Sequence, residues 1–198
     1  MKLIGKNSVS KYISYFFAAL FFLVLLSGVY ELLGWIISYY NFSTGNTLLS
    51  QLFETGKDVG WNKNQWTNKM DDLEKFKFYI PFTESNFRTG VFSLSTFIGN
   101  TFSNLFLITF TYFSFRVFRE FSKENFFNQK TIQFLKGFAW FCIIFFIGNT
   151  VINLFIVKYF GTSLIYGFWH FILGIMILFV TEFFKKGYEL QSENDLTI

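Results

Sequence analysis

Six side chains of this apolar sequence have the chemistry to bind or sense something inside a membrane. They are Glu31, His170 and two asparagine pairs, Asn100 with Asn104 and Asn149 with Asn153. Each pair sits in nearly the same decapeptide, FIGNTFSNLF at 97–106 and FIGNTVINLF at 146–155, identical at eight of ten positions. Spacing of i and i+4 keeps both amides of a pair on one helix face. Interhelical bonds from such amides contribute about 0.6–2 kcal/mol each, and intramembrane ionisable groups are functional candidates because their burial is costly. A histidine beside a carboxylate also titrates near physiological pH. Two readings stay open. In one, the amides bridge helices, while Glu31 and His170 satisfy each other. In the other, the six groups form a layer lining a polar cavity that binds a small ligand or senses protons. Gly99 and Gly148, with Ser103, would let backbones approach beside the pairs.

Other chemistry is sparse. One histidine cannot make a two-His metal site, and no H-E-x-x-H, cysteine cluster, Gly-rich phosphate loop or G-x-S-x-G elbow occurs. No enzyme activity, metal or cofactor is expected. Cys142 is the single cysteine, so no internal disulfide can form. A shift of forty-nine residues aligns only the decapeptides, so the repeat reads as a shared packing solution rather than a duplication.

The elements that must position these residues follow from composition. The 198 residues are 52% hydrophobic and 15% charged, against about 25% charged in soluble domains. Crossing the hydrocarbon core takes about 20 mostly apolar residues. Four stretches qualify, 12–40, 91–118, 137–157 and 163–184, which predicts an all-α, antiparallel four-helix membrane bundle. The first is long enough to require tilt or an aqueous extension, and it reads as a retained anchor rather than a signal peptide. Glu31, both asparagine pairs and His170 then fall in the outer half of the four spans.

Ten basic residues lie on the side of the two termini: Lys2, Lys6, Lys11, Arg116, Arg119, Lys123, Lys130, Lys136, Lys185 and Lys186. That bias predicts that both termini are cytoplasmic. The outer connection, 41–90, contains Trp61, Trp66 and an alternating KFKFYI segment that predicts a short strand or hairpin. Residues 62–77 could form a polar helix. The inner connection, 119–136, is expected to form an amphipathic helix on the cytoplasmic surface, N-capped by Ser122. Lipid anchoring and the docking of a cytoplasmic partner are both open for it.

After Gly187 the chain turns acidic through Glu189, Glu193 and Asp195, so this tail could meet the basic inner connection. The ending EFFKKGYELQSENDLTI and the inner FSKENFFNQKTIQFLKG segment resemble a bacterial family of four-span membrane proteins of unknown function. Gly187, Glu189, Leu190, Glu193, Asn194, Asp195, Leu196 and Thr197 match its ending, and Glu182 stands at its usual acidic position. Members are often encoded beside a Cro/repressor-type helix-turn-helix regulator. The resemblance therefore implies a sensor or regulatory partner that reports envelope state to a cytoplasmic protein, with no catalytic residues and no direct nucleic-acid contact. Arg116, Arg119, Lys123, Lys130, Glu182, Gly187, Glu189, Glu193 and Asp195 are the candidate partner face. A transporter or channel subunit, which would need a homo-oligomer, and an accessory subunit of a larger membrane complex are the alternatives.

Overall fold

Each long apolar stretch forms a helix: α1 (Val9–Thr44), α2 (Leu94–Phe121), α3 (Gln129–Ile152) and α4 (Thr162–Asp195). A π-helical turn, Asn153–Val157, continues α3. Between α1 and α2 the described residues form three strands, β1 (Phe53–Gly56), β2 (Lys75–Tyr79) and β3 (Asn86–Val91). The computed structural model describes residues 2–60, 72–157 and 162–195. Trp61, Trp66 and the greater part of the expected 62–77 helix lie outside the described residues; 75–77 belong to β2 instead.

Among the described residues three helices are long and apolar enough to cross a membrane: Val9–Thr44, Gln129–Ile156 and Gly167–Glu193, with mean hydropathy 2.2, 2.1 and 1.8. α2 has the length, at 28 residues, but dilutes its apolar content with Ser, Thr and Asn. Large apolar side chains stay uncovered along these helices, including Phe22, Leu26, Ile144, Met176 and Phe183, each more than 60% exposed. A protein surface of that kind needs lipid around it.

The chain divides into two compact units, Leu26–Ser103 and Met1–Leu25 with Asn104–Ile198. In the first, the strands form an antiparallel sheet in the order β1-β2-β3. Alternation in KFKFYI sends Phe76 and Phe78 to one face, where both are completely buried with Phe53 and Trp35. Trp35 stacks on Phe92 at 5.4 Å, tying the sheet's exit to the helix. Gly34 makes the close approach possible, because a Cβ there would come within 2.8 Å of the Phe53 and Phe78 rings. The hairpin expected from sequence is thus a three-stranded sheet laid on the second half of α1.

In the second unit α3 and α4 pack antiparallel, and three glycines fix their register. A Cβ on Gly167 would stand 2.8 Å from the Asn149 amide nitrogen, one on Gly174 2.9 Å from the Ala139 carbonyl oxygen, and one on Gly187 2.6 Å from the Phe127 ring. α2 is held off this hairpin by layers of rings, with Phe113 stacked on Phe138 at 5.6 Å and Phe106 on Phe141 at 5.6 Å. The first turns of α1 contribute Phe17, stacked on Phe118 at 5.7 Å. Around Gly99 a Cβ would meet nothing within 4 Å, so no tight approach occurs at that glycine of the first decapeptide.

The inner connection differs from expectation as well. No separate amphipathic helix precedes α3: α2 runs to Phe121, and Asn128, not Ser122, caps α3 by accepting a bond from the Thr131 amide at 2.9 Å. The Ser122 hydroxyl donates backward to the Arg119 carbonyl at 2.7 Å. The 3.6-residue pattern in that segment belongs to the first turns of α3 itself.

These contacts predict opposite outcomes for two glycines. Gly174→Ala should lower the unfolding midpoint in detergent, at a cost of about 1–3 kcal/mol for overpacking. Gly99→Ala should hold or raise it by up to about 1 kcal/mol through helix propensity. Equal thermal shifts in the two variants would contradict the packing described.

Candidate functional site

The α3–α4 hairpin carries a groove along one side, about 710 Å³ in volume. Its floor is apolar, from Ile132, Ile175 and Leu178, and its rim carries Lys136, Glu182, Lys185 and Glu189. Helical spacing builds this rim, since 182, 185 and 189 recur at i, i+3 and i+7 on α4. The Asn128 cap starts α3 so that Gln129, Ile132 and Lys136 form the opposing wall.

An aromatic clasp holds the open end. Phe184 stacks on Phe121 at 5.0 Å and meets Phe127 at 5.3 Å, while the Phe127 ring lies against Gly187. Any side chain at 187 would push that ring away, which gives the first glycine of the GYEL ending a physical reason. The residues after Gly187 continue α4 to Asp195, so the expected tail is a helical extension.

The other residues of the expected partner face are engaged locally. Lys123 donates to both carboxylate oxygens of Glu120 at 2.7 and 2.6 Å, neutralising a carboxylate only 4% exposed. The Arg116 guanidinium lies 4.2 Å from the Phe134 ring centroid and donates to the Tyr112 hydroxyl at 3.2 Å. Arg119 lies 5.8 Å from the Phe115 centroid. Lys130 and Glu193 are exposed, and the Asp195 side chain lies outside the described residues. Lys136, Lys185, Tyr188 and Gln129 also line the groove, and none of the four is in the expected partner face.

The six polar-layer residues divide between the units. Glu31 and Asn100 belong to Leu26–Ser103; Asn104, Asn149, Asn153 and His170 belong to the other. Within the α3–α4 hairpin, Asn149 faces Gly167, one turn before His170. The imidazole is edge-on to Phe106 at 4.4 Å and angled against Phe145 at 5.2 Å, with Nδ1 buried and without a hydrogen-bond partner. Asn153 donates its side-chain amide to the Asn149 carbonyl at 2.8 Å and to Asn149 Oδ1 at 3.1 Å. That second pair binds along its own helix where the π-turn begins, whereas the first decapeptide stays within α2. Asn104 is half-buried on α2.

Glu31 is satisfied by Arg88 of β3, whose Nη1 donates to Oε1 at 2.9 Å. The carboxylate side chain is 3% exposed and the guanidinium 34%. Trp35 Nε1 also points at Oε1, at 3.5 Å. Sequence reasoning missed this partner. The available signal was Arg88 itself, the sole arginine among the lysines of the outer connection and the residue best suited to a planar carboxylate.

Among the described residues no group of three or more His, Cys, Asp or Glu side chains is placed to hold a metal. Fold and groove together define a helical protein of membrane type, with a small sheet on its first helix and a charged-rim groove on its last two. The chain belongs to the family described as Protein of unknown function (DUF2975), whose profile matches residues 79–198. The match takes in β3, α2, α3 and α4, with Arg88 inside it and Glu31 outside. No curated protein and no solved structure matches the chain.

Removing Arg88 alone strands a buried carboxylate. Arg88→Met should cost about 3 kcal/mol, the lower end for a broken buried pair because the guanidinium is partly hydrated. Adding Glu31→Gln should restore most of the loss. Additive losses in that cycle of detergent unfolding measurements would refute the pairing.

Proposed function

We propose that this chain is a non-enzymatic, four-span protein of the bacterial inner membrane, with both termini cytoplasmic, acting as a sensor or regulatory partner. The observation that carries the reading is the α3–α4 groove. Its apolar floor and alternating Lys and Glu rim suit a partner helix bearing complementary charges, and Glu182 and Glu189 of the acidic ending belong to it. A docked helix would bury its apolar anchors on Ile132, Ile175 and Leu178 while the rim sets its register.

The fourth span is α2, whose 28 residues reach about 42 Å. Its charges, Arg116, Arg119 and Glu120, are confined to its last two turns. The cytoplasmic assignment follows the basic residues at the termini and in 119–136. Transport is the weaker reading: Glu31 is neutralised by Arg88, and Asn153 bonds to its own helix, so neither side chain is left to line a path. A cytoplasmic regulator of the helix-turn-helix class, or a subunit of a larger membrane complex, would be the occupant.

The test is co-purification of the full chain from its native membranes. Glu182→Lys combined with Glu189→Lys should lower recovery of the bound partner at least tenfold, as expected when about 1.4 kcal/mol is lost, while folding is kept. An unchanged partner set would reject the groove as the docking site.

A further inference from the structure

The Leu26–Ser103 unit contains its own depth gauge. As β2 advances, its contacts move toward the N-terminal end of α1. Phe76 meets Trp35 at 4.6 Å, Phe78 lies over Gly34, and the Tyr79 carbonyl accepts a bond from the Tyr30 hydroxyl at 2.5 Å. Strands rise about 3.3 Å per residue and helices about 1.5 Å. The β2–β3 turn, residues 80–85, therefore continues past Tyr30 toward the level of Leu26.

That end of the helix segment is apolar. Leu26, Val29 and Leu33 are 67%, 48% and 49% exposed, whereas the opposite end finishes in Asn41, Ser43 and Thr44. The turn thus extends toward the level at which lipid must cover the exposed side chains of α1.

The turn is built to present an aromatic ring. Phe82 is fully exposed and held at φ 64°, a left-handed conformation that a bulky L-residue adopts only under constraint. The Ile80 amide donates to the Ser85 carbonyl at 2.9 Å, and the Thr83 amide donates to the Ile80 carbonyl at 3.1 Å, fixing the loop. Ile80 is 42% exposed. Pro81 has no N–H to desolvate, which lowers the polar cost of moving Ile80, Pro81 and Phe82 out of water, while the exposed Glu84 stays at the polar level.

We propose that Ile80, Pro81 and Phe82 form a foot that inserts into the headgroup–acyl boundary of the leaflet on the sheet's side. The sheet is then a membrane-seated platform, and its height is set from two directions, by Gly34 against α1 and by Phe82 against lipid.

The experiment uses the full chain with Cys142→Ala, reconstituted into phosphatidylethanolamine–phosphatidylglycerol vesicles. A fluorophore on Phe82→Cys should be quenched severalfold more by headgroup-level nitroxide lipid than by aqueous iodide. The same fluorophore on Asp58→Cys, at the far end of the sheet, should show the reverse. A second pair keeps the native ring: a label on Glu84→Cys should be lipid-quenched with Phe82 present and lose at least half of that quenching with Phe82→Asp. Iodide quenching at 82 equal to that at 58, or identical Glu84→Cys signals with and without Phe82, would overturn the proposal. A water-exposed apex would instead leave the ring free for a protein partner.

Discussion

α1 is too long to be only a membrane span. Thirty-six residues extend about 54 Å, while the hydrocarbon core is about 30 Å thick. Over two fifths of the helix must therefore be covered by something other than the hydrocarbon core, and the three-stranded sheet covers it. Gly34 opens the slot, Phe53, Phe76 and Phe78 fill it, and Trp35 joins the sheet to the residues that lead into α2. Glu31 stands at the edge of that seam and is tolerable there because Arg88 reaches it. Without the sheet, the carboxylate would lose its charged partner and a run of aromatic residues its packing.

The α3–α4 hairpin solves a different problem. Gly174 brings α4 against the Ala139 backbone, Gly167 admits the Asn149 side chain and Gly187 the Phe127 ring, while phenylalanine rings hold α2 away. Close packing by small residues is the usual route to helix association where the hydrophobic effect between helices is absent. This hairpin carries both the groove and the buried imidazole. The charged rim lies toward one end of this helix pair and the Asn149, Asn153 and His170 cluster toward the other.

Much of this was legible in the residues. The four hydrophobic runs located the four helices but stopped short of the polar ends, missing the first eight residues of α3 and the last eleven of α4, and KFKFYI gave β2, because periodicity is a local signal. What was not legible is pairing. Glu31 and His170 look like partners when spans are compared by depth, yet a residue of the intervening loop, Arg88, takes the carboxylate, and loop geometry leaves no periodic trace. The asparagine repeat misled in the same way. Identical decapeptides behave differently because Asn153 stands where α3 passes into a π-turn, a tertiary effect that no ten-residue window contains. Ser122 was a reasonable cap by type, but Asn128, six residues later, has the extended backbone that a cap requires. The groove rim was visible as isolated charges and became a site only once Gly187 and Phe127 fixed the helix register.

The account rests on α1 leaving the bilayer near Glu31. Single cysteines at Leu23, Leu26 and Tyr39, in the Cys142→Ala background, would sample positions that the protein leaves 65%, 67% and 68% exposed. Reaction of sealed vesicles with a membrane-impermeant maleimide, with both protein orientations accounted for, should modify Tyr39→Cys quickly and leave Leu23→Cys and Leu26→Cys untouched. Equal protection of all three would place the whole helix in lipid and remove the reason for the sheet; equal reactivity would mean that α1 does not cross the membrane there.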